Sequence, residues 1–277
     1  MRTARIAVGL AAVAALALAA GCRKPEEAPA KRGPAPIEAA EGVPADAAAP
    51  LTFSEKSAHA EVSLNLPEAL KRQPDLHARL YSEGVKGLKQ FVEGAVGERA
   101  EMEAQGVELP PYSRTVAWTV EAETPKLLSL ISMTDEYTGG AHGNHVTASV
   151  LWDKALKRQI ALTALFRPGS EAQLEKLVCD ALTAEKKART GAAFTPPGQD
   201  WNCPKLKDVT LALAASTTAG KSAGLKVLAD PYLIGPYAEG GYEAVVPFSA
   251  FAALLAPAYA DEFGGAPKPA AKEPAAG

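Results

Sequence analysis

Hydrophobic positions change their spacing along the chain, and each spacing predicts a different element. The stretch HAEVSLNLP alternates apolar and polar residues, which predicts a half-buried strand. In the next segment apolar residues recur at helical spacing with charged residues between them, which predicts a long N-terminal amphipathic helix. Its apolar face consists of Leu76, Leu80, Val85, Leu88, Val92 and Val96. We expect this helix to end at Gly106, before a turn at Pro110 and Pro111.

After this turn the apolar spacing becomes two, which is typical of strands. The segments RTVAWTVEAET, KLLSLISMTDEYT and HVTASVLWD follow one another closely, and they predict an antiparallel meander. Three later segments, DVTLALAAST, AGLKVLAD and GYEAVVPF, predict three more strands. The stretch YTGGAHGN therefore connects two neighbouring strands of the meander.

Two further helices are predicted in the second half of the chain. The first follows Ser170, a suitable N-cap residue, and carries the apolar residues Leu174, Leu177, Val178 and Leu182. The second is a closing C-terminal helix over SAFAALLAPAY, capped by Ser249. Strands that follow one another in groups, with helices between the groups, indicate an α+β fold with antiparallel sheets, and not a βαβ arrangement.

The two ends of the chain have compositions that do not predict a packed core. Residues 1–21 combine Arg2 and Arg5 with an apolar stretch, as in a secretory signal peptide. The Ala-Gly-Cys sequence at Cys22 resembles a bacterial lipobox and implies lipidation of that cysteine, and thus a membrane anchor on the periplasmic face of the envelope. Residues 22–50 are predicted to be a disordered Pro/Ala-rich tether, and residues 264–277 a disordered tail.

Charge and cysteine content narrow the class of protein further. The formal net charge is −3, and it becomes −5 once Arg2 and Arg5 are removed with the signal peptide. A mildly acidic chain argues against nucleic acid as a partner. In an exported protein, Cys179 and Cys203 predict one disulfide. The residue after Cys22 is Arg23 and not aspartate, which, as in lipoproteins generally, favours the outer membrane where a cell has two membranes.

Two segments have the composition of binding loops. The first contains glycines, an aromatic residue and a histidine, which suit contact with a glycan ring, a carboxylate or a protein loop; it comprises Tyr137, Thr138, Gly139, Gly140, Ala141, His142, Gly143 and Asn144. The second, DPYLIGPYAEGGYE, places Pro236 and Tyr237 in a stiff aromatic turn. The alternative for both is a purely structural connection between strands.

These two segments also carry a resemblance to a known family. YTGGAHGN, the run from Ile160 to Phe166, and DPYLIGPYAEGGYEAVVPFSAF resemble a bacterial extracytoplasmic domain of unknown function. This family is shared by the C-terminal modules of RsiV, a lysozyme-sensing anti-sigma factor, and PdaC, a peptidoglycan deacetylase. The resemblance implies a PdaC-like N-terminal subdomain over residues 51–125 and an RsiV/PdaC-like C-terminal subdomain over residues 126–263.

The function that this resemblance implies is binding and not catalysis. The chain shows no recognisable catalytic set, and so we expect a non-catalytic lipoprotein that binds a lysozyme-like muramidase or peptidoglycan, with no cofactor and no metal. The alternative is an envelope hydrolase or metal-dependent enzyme that uses His142 with a nearby carboxylate. A structural lipoprotein without a small ligand is a third possibility.

Overall fold

Strands and helices of this chain are described by a computed structural model over residues 49–107, 110–191 and 203–268. Within these residues, six strands form a first sheet in the order β1-β2-β3-β4-β5-β6. Their bounds are Thr52–Lys56, Ala60–Asn65, Tyr112–Glu123, Leu127–Tyr137, Asn144–Asp153 and Arg158–Gln159. A second sheet has the order β7-β8-β9, with bounds Thr210–Ala215, Ser222–Ala229 and Tyr242–Pro247. The α+β class is confirmed.

The first sheet contains a parallel pair, which corrects the expectation of purely antiparallel sheets. Strand β2 runs parallel to β3, and the helix α1 (Pro74–Ala104) makes the crossover between them. This segment is a βαβ unit, and the prediction that the fold contains no such arrangement is wrong here. The three following strands form the predicted antiparallel meander β3-β4-β5. The edge strand β1 was not predicted, because TFSEK has too few apolar residues to show alternation.

Helix α1 packs on one face of the first sheet. Its buried residues Leu76, Leu80 and Leu88 meet the strand residues that point to the same face, whereas Val96 is exposed. Gly106, just beyond the helix, has a φ of +76°, and such a left-handed residue is typical after a helix end. The inward strand residues in this core are Val62, Leu64, Leu128, Leu130, Val150 and Trp152.

The other face of the first sheet is covered by the second sheet, through its edge strand β7. The backbone N–H of Leu213 in β7 donates a hydrogen bond to the Ser129 hydroxyl in β4 (3.0 Å). Helix α2 (Glu171–Thr190) packs against β8 and β9. Its buried residues Leu174, Val178 and Leu182 belong to the core of the second sheet. Ser170 occupies the predicted N-cap position, although its side chain makes no capping hydrogen bond.

The closing C-terminal helix is much shorter than predicted. Helix α3 covers only Phe248–Phe251, and a 3-10 turn follows it at Ala252–Leu254. Pro247 occupies the N-cap position expected for Ser249. The run of alanines and leucines here supports a helix by propensity, but Phe251 and Leu255 are buried in the core. We attribute the break to tertiary packing, which outweighs the weak local preference.

Predicted domain boundaries coincide only partly with the fold. The boundary between residues 125 and 126 falls in the turn between β3 and β4, which are adjacent strands of one sheet. The described residues belong to a single compact unit, Ala45–Gly277. The tail predicted to be disordered from residue 264 is held over residues 264–268: the N–H of Gly264 donates to Ser222 O (2.8 Å) and that of Lys268 to Ala215 O (3.0 Å).

Several predictions lie outside the described residues. These are the signal peptide over residues 1–21, lipidation of Cys22, nearly all of the tether over residues 22–50, and the tail from residue 269. Among the helices that the structure does describe, none has the length and apolar composition required to cross a bilayer.

Candidate functional site

The glycine loop, residues 138–143, connects β4 to β5 at one end of the first sheet. Gly139 and Gly140 have φ angles of +92° and +97°, a region that glycine occupies readily and residues with a Cβ avoid. The Tyr137 hydroxyl donates to Gly140 O (3.2 Å) and holds the turn. At Gly143 an added Cβ would lie 3.1 Å from Glu136 O, so the backbone here approaches its neighbour closely. The glycines are thus required by the path of the loop.

The tyrosine loop, residues 230–241, connects β8 to β9 and is fixed to β5 at its first residue. The carboxylate of Asp230 accepts hydrogen bonds from the Thr147 N–H (3.1 Å) and from the Thr147 hydroxyl (2.7 Å). The Thr210 hydroxyl donates to Thr147 O (3.0 Å). These bonds bring the tyrosine loop beside the glycine loop, which leads directly into β5.

The two loops meet through an aromatic stack. The ring of Tyr237 lies against the imidazole of His142, with 3.7 Å between centroids and 16° between planes. The Tyr237 hydroxyl donates to Gly143 O (2.7 Å). The Tyr232 ring lies 5.5 Å from that of Tyr237. The two segments that the sequence marked separately thus form one surface, here called the aromatic cluster and defined as His142, His145, Tyr232 and Tyr237.

His142 has both ring nitrogens engaged. Its Nδ1 lies 2.8 Å from Gly143 O, and its Nε2 lies 3.2 Å from the Tyr232 hydroxyl. A carbonyl oxygen only accepts, so Nδ1 carries the proton. A neutral His142 therefore accepts from the Tyr232 hydroxyl at Nε2. This tautomer leaves no lone pair open for a metal or for proton abstraction unless Tyr232 moves.

A carboxylate contacts the other histidine. Nδ1 of His145 in β5 and Oδ1 of Asp135 in β4 make a short contact across the strand pair, and both side chains are about half exposed, at 49% and 50%. Nε2 of His145 is the nitrogen left for a ligand. Among the described residues, the carboxylate that contacts a cluster histidine is that of Asp135, and it contacts His145 and not His142. Glu136, the next residue, points to the opposite face and pairs with Arg114.

Tyr232 is held in an unusual backbone conformation. Its φ is +73°, in the left-handed region that residues other than glycine seldom occupy, and the residue is 60% exposed. Residues in such conformations cluster at ligand sites, at a cost of about 1–3 kcal/mol. In this conformation the aromatic ring of Tyr232 faces solvent, and the side chain buries little of its own surface.

The far end of the tyrosine loop is anchored to α2. Nζ of Lys186 donates to Ile234 O (2.5 Å) and pairs with Glu239 Oε2 (3.1 Å). The buried Tyr242 hydroxyl donates to the same carboxylate. This hydrogen bond and the Lys186 charge lower the pKa of Glu239. Burial, together with the Glu239 carboxylate, raises the pKa of Tyr242 to about 12. The loop is therefore tied down at both ends.

The remaining predicted residues surround this surface without joining its central contacts. Thr138, Ala141 and Asn144 are exposed, and Pro236 precedes the short turn that carries Tyr237. Tyr232 lies in the second of the two segments marked from the sequence and His145 directly follows the first, but neither was among the predicted ligand-binding residues. The composition of their segments was noticed, but the contacts depend on strand register and on a loop that is distant in sequence.

Cys179 and Cys203 form the predicted disulfide, with a Cα–Cα distance of 5.4 Å. The bond ties α2 to the segment before β7. No group of three or more metal-ligating side chains occurs in the parts of the chain that the structure covers.

A comparison with known proteins finds a family match for part of the chain and a structural match for most of it. A family model described as Deacetylase PdaC matches residues 53–145. A member of the DUF3298 family from Bacteroides fragilis NCTC 9343 is 18% identical with a TM-score of 0.51, covering 76% of this chain and 96% of its own. A DUF3298 family protein from Pseudomonas aeruginosa PAO1 is 20% identical with a TM-score of 0.47, covering 79% and 99%. No curated protein gives a significant match.

The family match confirms the PdaC-type resemblance over residues 53–145, and the match to the Bacteroides fragilis structure supports a shared fold. The family match runs through the boundary expected at residue 125, as does the first sheet. The finer link to RsiV stays a prediction.

Proposed function

We propose that this protein is a non-catalytic binding module of the bacterial cell envelope, lipid-anchored at Cys22, which contacts a lysozyme-like muramidase or peptidoglycan through the aromatic cluster. One observation carries the proposal: the two loops singled out by composition converge, through the stack of Tyr237 on His142, into one exposed surface. Surfaces that bind proteins or sugars are enriched in tyrosine, since its ring gives a large contact area at a low entropic cost.

The loops are organised before any ligand arrives, which favours binding. Asp230 fixes one end of the tyrosine loop to β5, and Lys186 and Tyr242 hold Glu239 at the other. A partner would therefore spend little free energy in ordering these side chains. The aromatic cluster contains two histidines that could act as a general base, His142 and His145. Both ring nitrogens of His142 already have hydrogen-bond partners, which disfavours a catalytic role for this residue.

The test is calorimetry of the fragment 45–277, which contains every described residue, against a c-type lysozyme and against soluble peptidoglycan fragments. We expect Tyr237→Ala and His142→Ala to weaken binding by about tenfold or more, in the range of interface anchor residues. Leu156→Ala is the matched control, because Leu156 is an exposed apolar residue (53%) just beyond the opposite end of β5. Unchanged affinity in both cluster variants, or no binding to either ligand, would refute the proposal.

A second candidate is an envelope hydrolase in which Asp135 orients His145 as a general base. Its support is the contact between the two side chains, which leaves Nε2 of His145 as the basic atom. Release of soluble fragments from purified cell-wall material, lost in His145→Ala and in Asp135→Asn, would favour this candidate over the binding module.

A further inference from the structure

An open groove of about 410 Å³ lies between α1 and the ends of β3 and β4, on the face of the first sheet that points away from the aromatic cluster. Its volume lies in the range of small-molecule sites. Asp135 and Glu136 are consecutive in β4, so their side chains point to opposite faces of the sheet. Asp135 contacts His145 of the aromatic cluster, and Glu136 lines this groove. The groove is lined by Gly87, Gln90, Phe91, Gly94, Ala95, Glu98, Tyr112, Arg114, Glu136 and Thr138.

An ion pair stands in the wall of this groove. Nε of Arg114 donates to Oε2 of Glu136 (2.6 Å), and the guanidinium carbon of Arg114 lies 4.2 Å from the Phe91 ring centroid. Both charged side chains keep about a quarter of their surface exposed, at 29% and 25%. Nη2 of Arg114 contacts the same oxygen, Oε2. Among the described residues, Oε1 of Glu136 and Nη1 of Arg114 have no hydrogen-bond partner. The pair therefore presents an acceptor and donors side by side in a fixed geometry, and its own two charges cancel, while the exposed carboxylate of Glu98 adds one negative charge to the lining of the groove.

The floor of the groove exposes helix backbone. Gly87 and Gly94 lie in the interior of α1, and a Cβ added to either would meet nothing within 4 Å. Glycine in the interior of a helix destabilises the helix relative to alanine. Packing does not require glycine at either position. Their effect is to keep the groove open and flat where a side chain would begin to fill it.

We propose that this groove binds a neutral, hydroxyl-rich ring, that is, a sugar. A hydroxyl both donates and accepts, so vicinal hydroxyls can bond to Arg114 and Glu136 together without separating them. An anionic or cationic ligand would instead compete for one member of the pair, which Phe91 holds in place. Gln90 and Thr138 at the rim also donate and accept. The flat stretch of Gly87, Gly94 and Ala95 suits the C–H face of the ring.

This site is separate from the proposed function and does not depend on it. The groove shares no residue with the aromatic cluster, and it lies on the other face of the same sheet. A sugar ring of about fifteen non-hydrogen atoms at ordinary ligand efficiency would bind with a dissociation constant of about 1 mM.

The experiment is a titration of ¹⁵N-labelled fragment 45–277 with N-acetylglucosamine and its trisaccharide, followed by the amide signals of the α1 glycines. We expect saturable shifts at Gly87 and Gly94 and none at Gly97, which lies on the same helix outside the groove. Gly94→Leu should abolish the shift at Gly87. Gly97→Leu is the matched control and should leave that shift intact.

A second pair of variants separates the site from the stability of the helix. Gly94→Ala and Gly97→Ala both have room for the methyl group, and each should raise the melting temperature by about 1–4 °C. Of these two variants, only Gly94→Ala should weaken the sugar-dependent shifts of the groove amides, and Tyr237→Ala should leave those shifts unchanged. The proposal is overturned if neither sugar shifts the groove amides, or if Gly94→Leu binds as well as the unaltered chain.

Discussion

The contact between Asp230 and Thr147 joins the two candidate loops, and replacing it tests whether their convergence is built into the fold. Asp230 begins the tyrosine loop, and its carboxylate accepts from the N–H and the hydroxyl of Thr147 in β5. Asp230→Ala would remove both bonds and leave the Thr147 N–H without this partner. Thr147→Ala would remove only the hydroxyl, and the double variant measures the coupling between the two side chains.

The expected magnitude follows from the geometry. A hydrogen bond to a charged acceptor contributes about 1.5–3 kcal/mol, and Asp230 is half-buried, which favours the lower end. Two such bonds give a loss of about 3 kcal/mol in the free energy of unfolding for Asp230→Ala. For a domain of this size, that corresponds to a fall in melting temperature of about 6–12 °C. Because the Thr147 N–H remains in Thr147→Ala, the coupling energy should be only about 1.5 kcal/mol.

The assay is urea unfolding of fragment 45–277 with both single variants and the double variant. Thr119→Ala is the control, since Thr119 is an exposed threonine of β3, outside both loops. A coupling energy below about 0.3 kcal/mol, the usual error of additivity for independent sites, would refute the reasoning. The two loops would then be adjacent without being held together.

Two further predictions concern stability under changed conditions. Reduction of the Cys179–Cys203 disulfide, which closes a loop with a sequence separation of 24, should lower the free energy of unfolding by about 3 kcal/mol, and a Cys179→Ala, Cys203→Ala variant should lose the sensitivity to reductant in thermal unfolding. Tyr242 keeps its proton in the folded state because its pKa is raised from 10.0 to about 12; its contribution to stability is complete below pH 10 and should disappear as the pH rises toward 12. Absorbance at 295 nm should show this late ionisation step, and Tyr242→Phe should remove it.

Local patterns predicted most elements of this fold but not how the strands pair. The period of two in β3, β4 and β5 sufficed for the meander, because short connections force neighbouring strands to be antiparallel. The parallel pairing of β2 with β3 depends on α1, whose 31 residues carry the chain back to the starting edge of the sheet. Apolar spacing is the same for both kinds of pairing, so the spacing could not reveal it. Edge strand β1 carries too weak a pattern to be seen.

The sequence predicted those features of the candidate site that depend on the composition of one loop. It did not predict the contacts that depend on strand register or on residues distant in sequence. Glycine, proline and tyrosine content marked both loops. The contact of His145 with Asp135 follows from the hairpin register, which sets Glu136 opposite Asn144 and so Asp135 opposite His145. That register could have been derived from the length of the glycine loop. The bond from Thr147 to Asp230 spans 83 positions, and no local signal announces it.

The end of β4 explains why binding features occur on both faces of one sheet. Alternation along the strand sends Asp135 toward the tyrosine loop and Glu136 toward α1. The glycine loop begins at Thr138, two residues after Glu136, and the positive φ angles of Gly139 and Gly140 end the extended strand. Each of the two carboxylates has a partner on its own face, so each side chain stays partly exposed while its orientation is fixed. A sheet that ends in a glycine-rich hairpin can therefore present two different surfaces, and single substitutions at Asp135 and Glu136 address them one at a time.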